Sequence, residues 1–211
     1  MTVDPTQLTL YAITDRPGEG LDERVEAALR GGATTIQLRL KGATAREVFA
    51  AAREVLPRCR WHGAPLIIND RLDIALAVGA DGVHLGPDDL PVVEARRLAP
   101  DGFIVGGSAG TVEAAQALER AGADYLGVGA IFDARPSKSN ASAPRGLEAL
   151  AEVCAGVRIP VVAIGGVTRE TAPRCVQAGA AGVAVIRAVF GSDDPLRITE
   201  AARSLRGALM S

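Results

Sequence analysis

Apolar residues along this chain fall in short runs, and longer amphipathic stretches separate those runs. Four runs follow a Gly-Ala or Gly-Gly-Ala step, which begins at Gly31, Gly79, Gly122 or Gly179. Glycine can take the left-handed conformation that ends a helix, and the β-branched residues after it favour extended chain. Successive Gly-Ala steps are about 43 to 57 residues apart, so each interval has room for two strand–helix units. Four double units predict an α/β fold, a single-domain (β/α)8 (TIM) barrel over residues 1–211.

The apolar runs are short and mostly do not alternate with polar residues, which is typical of parallel strands covered on both faces. The predicted strands are Leu8–Thr14, Thr35–Arg39, Pro65–Asn69, Gly82–Leu85, Ile104–Ser108, Tyr125–Val128, Val161–Ile164 and Gly182–Val185. The predicted helices are Leu21–Arg30, Ala45–His62, Leu72–Val78, Leu90–Leu98, Val112–Ala121, Gly146–Val157, Arg169–Ala178 and Pro195–Leu209. Thr44, Thr111 and Thr168 are predicted to cap helices, because their hydroxyls can accept first-turn amides.

The composition of the chain limits the kinds of binding partner that we expect. The chain is 48% hydrophobic and only 3% aromatic, which fits aliphatic barrel layers. A net charge of −2 gives no electrostatic reason to expect nucleic acid. Neither a long uninterrupted apolar run nor a signal-peptide pattern is present, so we expect no membrane partner and a cytoplasmic enzyme. Cys59, Cys154 and Cys175 lack a Cys-x-x-Cys spacing and fit reduced thiols. The sequence leaves open whether the protein forms a homo-oligomer.

Three polar residues alternate around the end of the second predicted strand. Gln37, Arg39 and Lys41 lie two residues apart, so a strand would place all three on one face. A guanidinium and an ammonium are costly to bury unless an anion is bound there. This pattern predicts an anion-binding wall at the barrel mouth. The alternative is a strand end that emerges into solvent, with Lys41 hydrated.

Carboxylates follow the third and fourth predicted strands, at Asp70 and Asp89. Two acids close to Arg39 and Lys41 suit a hard divalent cation that holds a pyrophosphate, so we expect Mg²⁺ here. The alternative for Asp70 is a helix cap, although capping does not require a second acid. Asp88 competes with Asp89 for the ligand role, and the spacing does not separate them.

Two further polar residues lie in neighbouring predicted strands. His84 lies inside a strand, where an imidazole is more often a hydrogen-bonded core residue than a general base. Ser108 follows paired glycines, which let a ligand approach closely. No His–Asp pair is placed in sequence to make Ser108 a nucleophile, so we expect it to bind substrate.

A second anion site is predicted after the seventh and eighth strands. Gly165 and Gly166 can expose backbone amides, and Ile186 and Arg187 follow the next strand. Loops at these positions are the recurrent phosphate site of such barrels. The alternative is a tight turn without a ligand. Two anion sites at one mouth indicate two phosphorylated small-molecule substrates.

The segment Gly129–Arg145 is too long for an ordinary connection between a strand and a helix. It is rich in Pro, Ser, Ala and Asn. A long loop at the ligand-facing end of a barrel is a candidate lid.

Several motifs together resemble the thiamine phosphate synthase family. They are YAITD, QLRLK from Gln37, IIND ending in Asp70, GADGVHLG followed by Asp89, GGSAGT around Ser108, GADYLGVG and PVVAIGGVT, and they span nearly the whole chain in order. The resemblance implies a (β/α)8 barrel that joins hydroxymethylpyrimidine diphosphate to thiazole phosphate with Mg²⁺ and releases pyrophosphate. An aminopyrimidine can stabilise a benzyl-like cation, which the thiazole nitrogen then attacks without a protein base.

The resemblance also implies roles for individual residues. Gln37, Arg39, Lys41 and Asn69 would contact the pyrimidine diphosphate, and Asp70 and Asp89 would hold the metal. Ser108 would touch the pyrimidine or its phosphates. The amide of Gly166 would bind the thiazole phosphate, beside Gly165, Ile186 and Arg187.

Two segments depart from the family pattern. A Pro-Thr-x-Thr-Lys segment is expected after the sixth strand, but here Ala134 replaces a threonine and one extra residue precedes the lysine. We take Lys138 as the stand-in for that lysine, with Ser137 and Arg135 as helpers. Lys138 then joins Arg39, Lys41 and Ser108 as a catalytic candidate. Ile186-Arg187 stands where the family usually has a serine at the phosphate.

These departures bring in two alternatives. The thiazole tautomerases share the barrel, but their proton shuttle uses a histidine shortly after the fifth strand, where this chain has Gly110. That sister family has also generally lost the acidic metal ligands, which this chain keeps. The other alternative is a barrel that binds a thiamine precursor without catalysis.

Overall fold

Eight parallel strands close into a barrel in a computed structural model that describes residues 3–133 and 144–210. Each strand pairs with the next along the chain, and the last pairs with the first. The strands are β1 Leu10–Ile13, β2 Thr35–Leu38, β3 Leu66–Asn69, β4 Gly82–Leu85, β5 Ile104–Ala109, β6 Tyr125–Gly129, β7 Val161–Ile164 and β8 Gly182–Val185. The expected (β/α)8 barrel is therefore confirmed.

Helices surround the barrel. They are α1 Leu21–Arg30, α2 Ala45–Trp61, α3 Leu72–Val78, α4 Val92–Leu98, α5 Val112–Arg120, α6 Gly146–Gly156, α7 Ala172–Gln177, α8 Arg187–Phe190 and α9 Pro195–Leu209. The predicted caps Thr44 and Thr111 accept hydrogen bonds from the Glu47 and Ala114 amides. Within the described residues, no helix is long and apolar enough to cross a membrane.

Two local predictions were wrong, and one short helix was not predicted. Thr168 does not cap α7, because its hydroxyl bonds Glu170 and the helix begins later, at Ala172. The start of the first predicted strand is a 3-10 turn over Pro5–Leu8, whose first amide the Asp4 carboxylate caps. The short helix α8 was not predicted, since four residues are too few to show a helical period.

The core has two layers. Between strands and helices lies a large aliphatic cluster, to which Ile36, Leu66, Val83 and Leu126 contribute. A second cluster fills the barrel interior and includes Tyr11, Ile67, Tyr125, Val162 and Ala184. The interior is thus packed with side chains, and a ligand can bind only at an end of the barrel.

Tyr125 occupies interior space that Gly106 leaves open on the neighbouring strand. The two residues are paired in register, and a Cβ atom at position 106 would overlap the Tyr125 ring. Tyr125 is fully buried, and its ring packs edge-on against Tyr11 at a centroid distance of 5.7 Å. The glycine therefore determines which large side chain the interior accepts.

Replacing Gly106 by Ala is expected to destabilise the fold by about 1–3 kcal/mol, because the buried Tyr125 ring must shift. Urea unfolding of both proteins measures the difference. Gly207→Ala in α9 is the control, since no atom lies within 4 Å of its added Cβ. Alanine there should be neutral or stabilising by up to about 1 kcal/mol. Equal stability of wild type and Gly106→Ala would contradict the packing argument.

Candidate active site

A cavity of about 130 Å³ opens at the carboxyl ends of the strands. Five predicted substrate-binding residues line it, namely Gln37, Arg39, Asn69, Ser108 and Ile186. Tyr11 and His84, which sequence reasoning did not assign to the site, line it as well. Because parallel strands all end at one rim of a barrel, residues far apart in sequence meet here.

A wider groove of about 660 Å³ lies at the opposite end, between the segments that precede β1, β3, β4 and β5. Its charged lining residues are Asp4, Arg60, Asp81 and Asp101. Conserved chemistry in these barrels lies at the carboxyl ends, and the amino-terminal end mainly serves stability. The smaller cavity is therefore the candidate active site.

Asp70 and Asp89 come together at the rim. The Asp89 carboxylate accepts a hydrogen bond from the Gly86 amide at 2.7 Å, which fixes it beside β4. Partial desolvation and the adjacent Asp89 carboxyl raise the pKa of Asp70 to about 6, against the opposing effects of Arg39 and Asn69. Four polar residues from the ends of β2 and β3 and from the loop after β4 thus lie together at the rim.

The geometry decides two alternatives. Asp70 does not cap α3, because the residue at the cap position is Arg71, with no side-chain cap bond. Asp70 instead has φ of 64°, a left-handed conformation that few non-glycine residues adopt, and its amide bonds the His84 carbonyl. Asp89 is the acid in contact with Asp70, whereas Asp88 is exposed.

The donor set fits a divalent cation that also binds a ligand. Residues 3–133 and 144–210 contain no group of three or more acidic, His or Cys side chains able to hold a metal alone. Mg²⁺ usually takes only one or two carboxylates and completes its shell with water and phosphate oxygens. Asp70 and Asp89 match that requirement, and a cation would relieve the repulsion between them.

Arg39 is positioned by the adjacent strand. The Thr14 hydroxyl accepts a hydrogen bond from the Arg39 amide at 2.9 Å and lies 3.2 Å from the Arg39 carbonyl. β2 ends at Leu38, one residue earlier than predicted. Arg39 is half-buried at the rim, and Lys41 is exposed beyond it and does not line the cavity.

Polar side chains also cross the barrel interior beneath the cavity. Gln37 Nε2 donates to the Tyr11 hydroxyl at 2.9 Å, and the Tyr11 and Tyr125 hydroxyls lie 2.6 Å apart. His84 Nδ1 is 3.0 Å from the Tyr125 hydroxyl, and His84 Nε2 is 2.9 Å from Ser108 Oγ. The burial of these groups is compensated because each finds a hydrogen-bond partner.

Sequence reasoning missed the contact between His84 and Ser108. The imidazole is hydrogen-bonded, as expected, but it faces the candidate site rather than a closed core. Its other nitrogen contacts Tyr125 and not a carboxylate, so this is not a Ser–His–Asp arrangement. Burial lowers the pKa of His84 to about 4, which keeps the ring neutral near pH 7. Residues that share a rim only through strand pairing cannot be recognised from sequence spacing.

Gly165 and Gly166 follow β7 at the other side of the mouth. Their φ angles are 96° and 66°, and added Cβ atoms would overlap the loop after β6 at Ala130 and Phe132. The Phe132 amide donates to the Gly165 carbonyl at 2.9 Å. Among the described backbone groups, none accepts a hydrogen bond from the Gly166 amide. The glycine pair therefore forms a tight turn, and the Gly166 amide remains available to donate a hydrogen bond to an anion.

The remaining predicted residues lie at the edge of the site or outside the description. Arg187 is exposed as the first residue of α8. Ser137 and Lys138, together with Ala134 and Arg135, lie outside the described residues.

Arg145 was not predicted to act here. Its guanidinium donates to the Gly110 carbonyl at 2.6 Å and to the Gly129 carbonyl at 3.0 Å. Its amide donates to the Ala130 carbonyl. Arg145 thus joins the ends of β5 and β6, and a Cβ at position 110 would overlap its guanidinium.

The closed barrel, with polar and charged side chains gathered at the carboxyl ends of its strands, defines the class of protein as a (β/α)8 barrel enzyme. A family model described as thiamine monophosphate synthase matches residues 10–189. The chain belongs to that family, so the family resemblance and the assignment as a transferase of thiamine biosynthesis are confirmed.

Individual relatives agree with this assignment. The chain is 51% identical over 201 residues to a thiamine-phosphate synthase of Chlorobium luteolum, covering 95% of this chain and 92% of the relative. It is 44% identical to one of Pyrococcus horikoshii, with coverage of 94% and 95%. A solved structure of thiamine phosphate pyrophosphorylase from Pyrococcus furiosus is similar at a TM-score of 0.87 and 40% identity, covering 98% and 99%.

Replacing Asp70 by Asn should change how stability depends on pH. Folded Asp70 binds a proton more tightly than the unfolded chain, so its ionisation destabilises the metal-free fold as pH rises from 3.8 to about 6. Asp70→Asn lacks this loss, and asparagine tolerates the left-handed conformation. Urea unfolding in EDTA across that pH range measures the effect.

Asp88→Asn serves as the control for this measurement, because Asp88 is exposed on the same loop. Its stability should follow wild type across the range. Parallel curves for wild type and Asp70→Asn would show that the pKa of Asp70 is not raised.

Proposed function

We propose that the protein is a thiamine phosphate synthase, which joins hydroxymethylpyrimidine diphosphate to thiazole phosphate and releases pyrophosphate. The observation that carries this proposal is the contact between Asp70 and Asp89 beside Arg39, at the mouth of the cavity that contains Gln37 and Ser108. Family membership and relatives named thiamine-phosphate synthases support it.

The metal in this proposal is Mg²⁺, held by Asp70 and Asp89. When bound, it would neutralise charge on the diphosphate and so favour its departure. Two adjacent carboxylates without a cation repel each other, as the raised pKa of Asp70 indicates. The carboxylate pair therefore supports a cation site.

The protein's own cations complete the diphosphate site. Arg39 can form two parallel hydrogen bonds to phosphate oxygens from its position at the rim, with the Asn69 amide beside it. Lys41 and Lys138 are proposed to approach from the loops after β2 and β6, with Ser137. Their role is to stabilise negative charge that develops on the leaving pyrophosphate.

The pyrimidine would lie inside the cavity, between Gln37 and Ser108. Ile13, Val162 and Ile164 supply apolar walls there, which exclude water from a reactive pyrimidine cation. The C–O bond to the diphosphate breaks first, and the thiazole nitrogen then forms the new C–N bond. No protein base is needed for that step, and burial makes His84 a weak base by lowering its pKa to about 4.

The thiazole phosphate would bind on the side of β7 and β8. The Gly166 amide and the positive φ of both glycines support an anion site at this turn. Ile186 lines the cavity next to it, and the Arg187 guanidinium can reach a phosphate at the rim. Gly165 would keep the turn close to the loop after β6.

The cysteines support a reducing, cytoplasmic location for this reaction. Cys59, Cys154 and Cys175 are free thiols. Burial raises the pKa of Cys59 to about 12 and the pKa values of Cys154 and Cys175 to about 11, which disfavours the reactive thiolate.

The decisive experiment supplies both phosphorylated substrates with and without Mg²⁺ and measures thiamine phosphate. Product is expected only with Mg²⁺. Asp70→Asn and Asp89→Asn should each lower its rate by more than the 10–100-fold loss typical of outer-shell metal partners. Asp88→Asn should retain the wild-type rate. Circular dichroism checks that each variant is folded.

Other outcomes identify the alternatives. Product in EDTA, or full activity of either acid variant, would contradict the metal assignment. Turnover of a single thiazole phosphate in EDTA would indicate a tautomerase-like isomerase. Arg145 disfavours that outcome, because its guanidinium fills the space beside Gly110 where the shuttle histidine would stand. Binding of a substrate without any turnover would indicate a non-catalytic carrier.

Arg187→Ser tests the thiazole phosphate site. The loss of a guanidinium should change the apparent affinity for thiazole phosphate by roughly 10- to 150-fold, since a charged hydrogen bond contributes about 1.5–3 kcal/mol. The affinity for the pyrimidine diphosphate should change less. Steady-state kinetics with each substrate varied in turn measures both effects.

Arg53→Ser, an exposed substitution on α2, is the matched control for loss of charge and should affect neither affinity. Equal effects of Arg187→Ser on both substrates would remove Arg187 from the thiazole phosphate site.

A further inference from the structure

Five side chains form one continuous hydrogen-bond chain across the barrel interior. It runs from Gln37 through Tyr11, Tyr125 and His84 to Ser108, with separations of 2.9, 2.6, 3.0 and 2.9 Å. Its two ends, Gln37 and Ser108, both line the cavity. The proposed function leaves Tyr11, Tyr125 and His84 without a role.

The number of hydrogens fixes the direction of this chain. Each tyrosine hydroxyl has one hydrogen, and a neutral imidazole has one N–H. Gln37 Nε2 can only donate, so the Tyr11 hydroxyl accepts there and must donate to Tyr125. Tyr125 in turn must donate to His84 Nδ1, which leaves the ring hydrogen on Nε2, facing Ser108.

We infer that His84 is a positioning residue: as the Nε2–H tautomer it donates to Ser108 Oγ and leaves the Ser108 hydroxyl hydrogen free for a ligand. At the other end, the same direction leaves the Gln37 amide oxygen as an acceptor. The chain thus sets a donor at one side of the cavity and an acceptor at the other.

This pattern deepens the proposed function and rests on it for the identity of the ligand. An aminopyrimidine carries an amino group, which donates, next to ring nitrogens, which accept. Gln37 Oε1 would accept from the amino group, and Ser108 would donate to a ring nitrogen or to a phosphate oxygen. The hydrogen-bond chain would then select the orientation of the pyrimidine as well as its shape.

Burial favours a single tautomer. Tyr11 is 1% exposed and Tyr125 is fully buried, so neither has water as an alternative partner. Reversing the chain would require Gln37 to present its oxygen to Tyr11 and every hydrogen to change its partner. Because the Tyr125 hydroxyl donates to Nδ1, that nitrogen carries no hydrogen, and the ring is therefore neutral.

The first test is the ¹⁵N spectrum of the imidazole in the ligand-free protein. His84 is expected to show a protonated Nε2 and a bare Nδ1. The chain has only two histidines, and His84→Gln identifies the His84 signals by their loss. His62 on the outside of the barrel, beside Glu26, remains as the internal reference. A protonated Nδ1, or a mixture of tautomers, would overturn the inference.

The second test asks whether His84 acts through Ser108. Tyr125→Phe removes the hydroxyl that holds Nδ1 but keeps the ring. It should release the tautomer preference and lower kcat/KM for the pyrimidine diphosphate about tenfold, with KM for thiazole phosphate unchanged. Ser108→Ala should have at least as large an effect. In the double variant, Tyr125→Phe should add less than about twofold to Ser108→Ala.

Fully additive effects would overturn the role of the chain in positioning Ser108. If Tyr125→Phe does not fold, the ¹⁵N spectrum of the wild-type protein decides by itself whether the inference holds. The spectrum requires no substrate, so it remains decisive even if the protein does not make thiamine phosphate. A failure of the proposed function and a failure of this inference are therefore distinguishable.

Discussion

Because β8 pairs with β1 just as every other strand pairs with its neighbour, all eight carboxyl ends reach the same rim. The candidate site depends on this closure. Arg39, Asp70 and Asp89 follow three different strands, and no local segment could bring them to one rim. Parallel pairing does so without a dedicated connection, since residues such as Asn69 and His84 are placed side by side by register alone.

The barrel interior is unusual in being partly polar. Tyr11 and Tyr125 fill it with large rings, but their hydroxyls would be costly to bury without partners. The two hydroxyls bond each other, Gln37 and His84 supply their other partners, and Ser108 continues the chain from His84 to the cavity. The same interior side chains therefore stabilise the fold and orient the site, so a substitution among them affects both.

Much of this architecture could be predicted from the sequence. Glycine-terminated helices and short apolar runs are local signals, so the number and order of strands and most helix bounds were correct. Polar side chains at the strand ends of a barrel have few structural reasons to be there, and the structure brings four that were singled out in this way, Gln37, Arg39, Asn69 and Ser108, around one cavity.

The features that were missed depend on tertiary contacts. The left-handed conformation of Asp70, whose amide bonds the His84 carbonyl on β4, and its proximity to Asp89 depend on the pairing of β3 with β4. The contact of His84 with Ser108 needs the register of β4 and β5, and Arg145 acts on strands that precede it by many residues. The short helix α8 has no period to detect. None of these leaves a pattern along the chain itself.

The position of the aromatic residues has an optical consequence. The chain has two tyrosines, and both lie in the interior beneath the cavity, whereas its one tryptophan, Trp61, is 86% exposed on α2. Tryptophan emission therefore reports on the outer surface and is a poor indicator of ligand binding. Ultraviolet difference absorbance of the two phenol rings reports on their surroundings beneath the cavity, so the barrel carries an intrinsic chromophore at its centre.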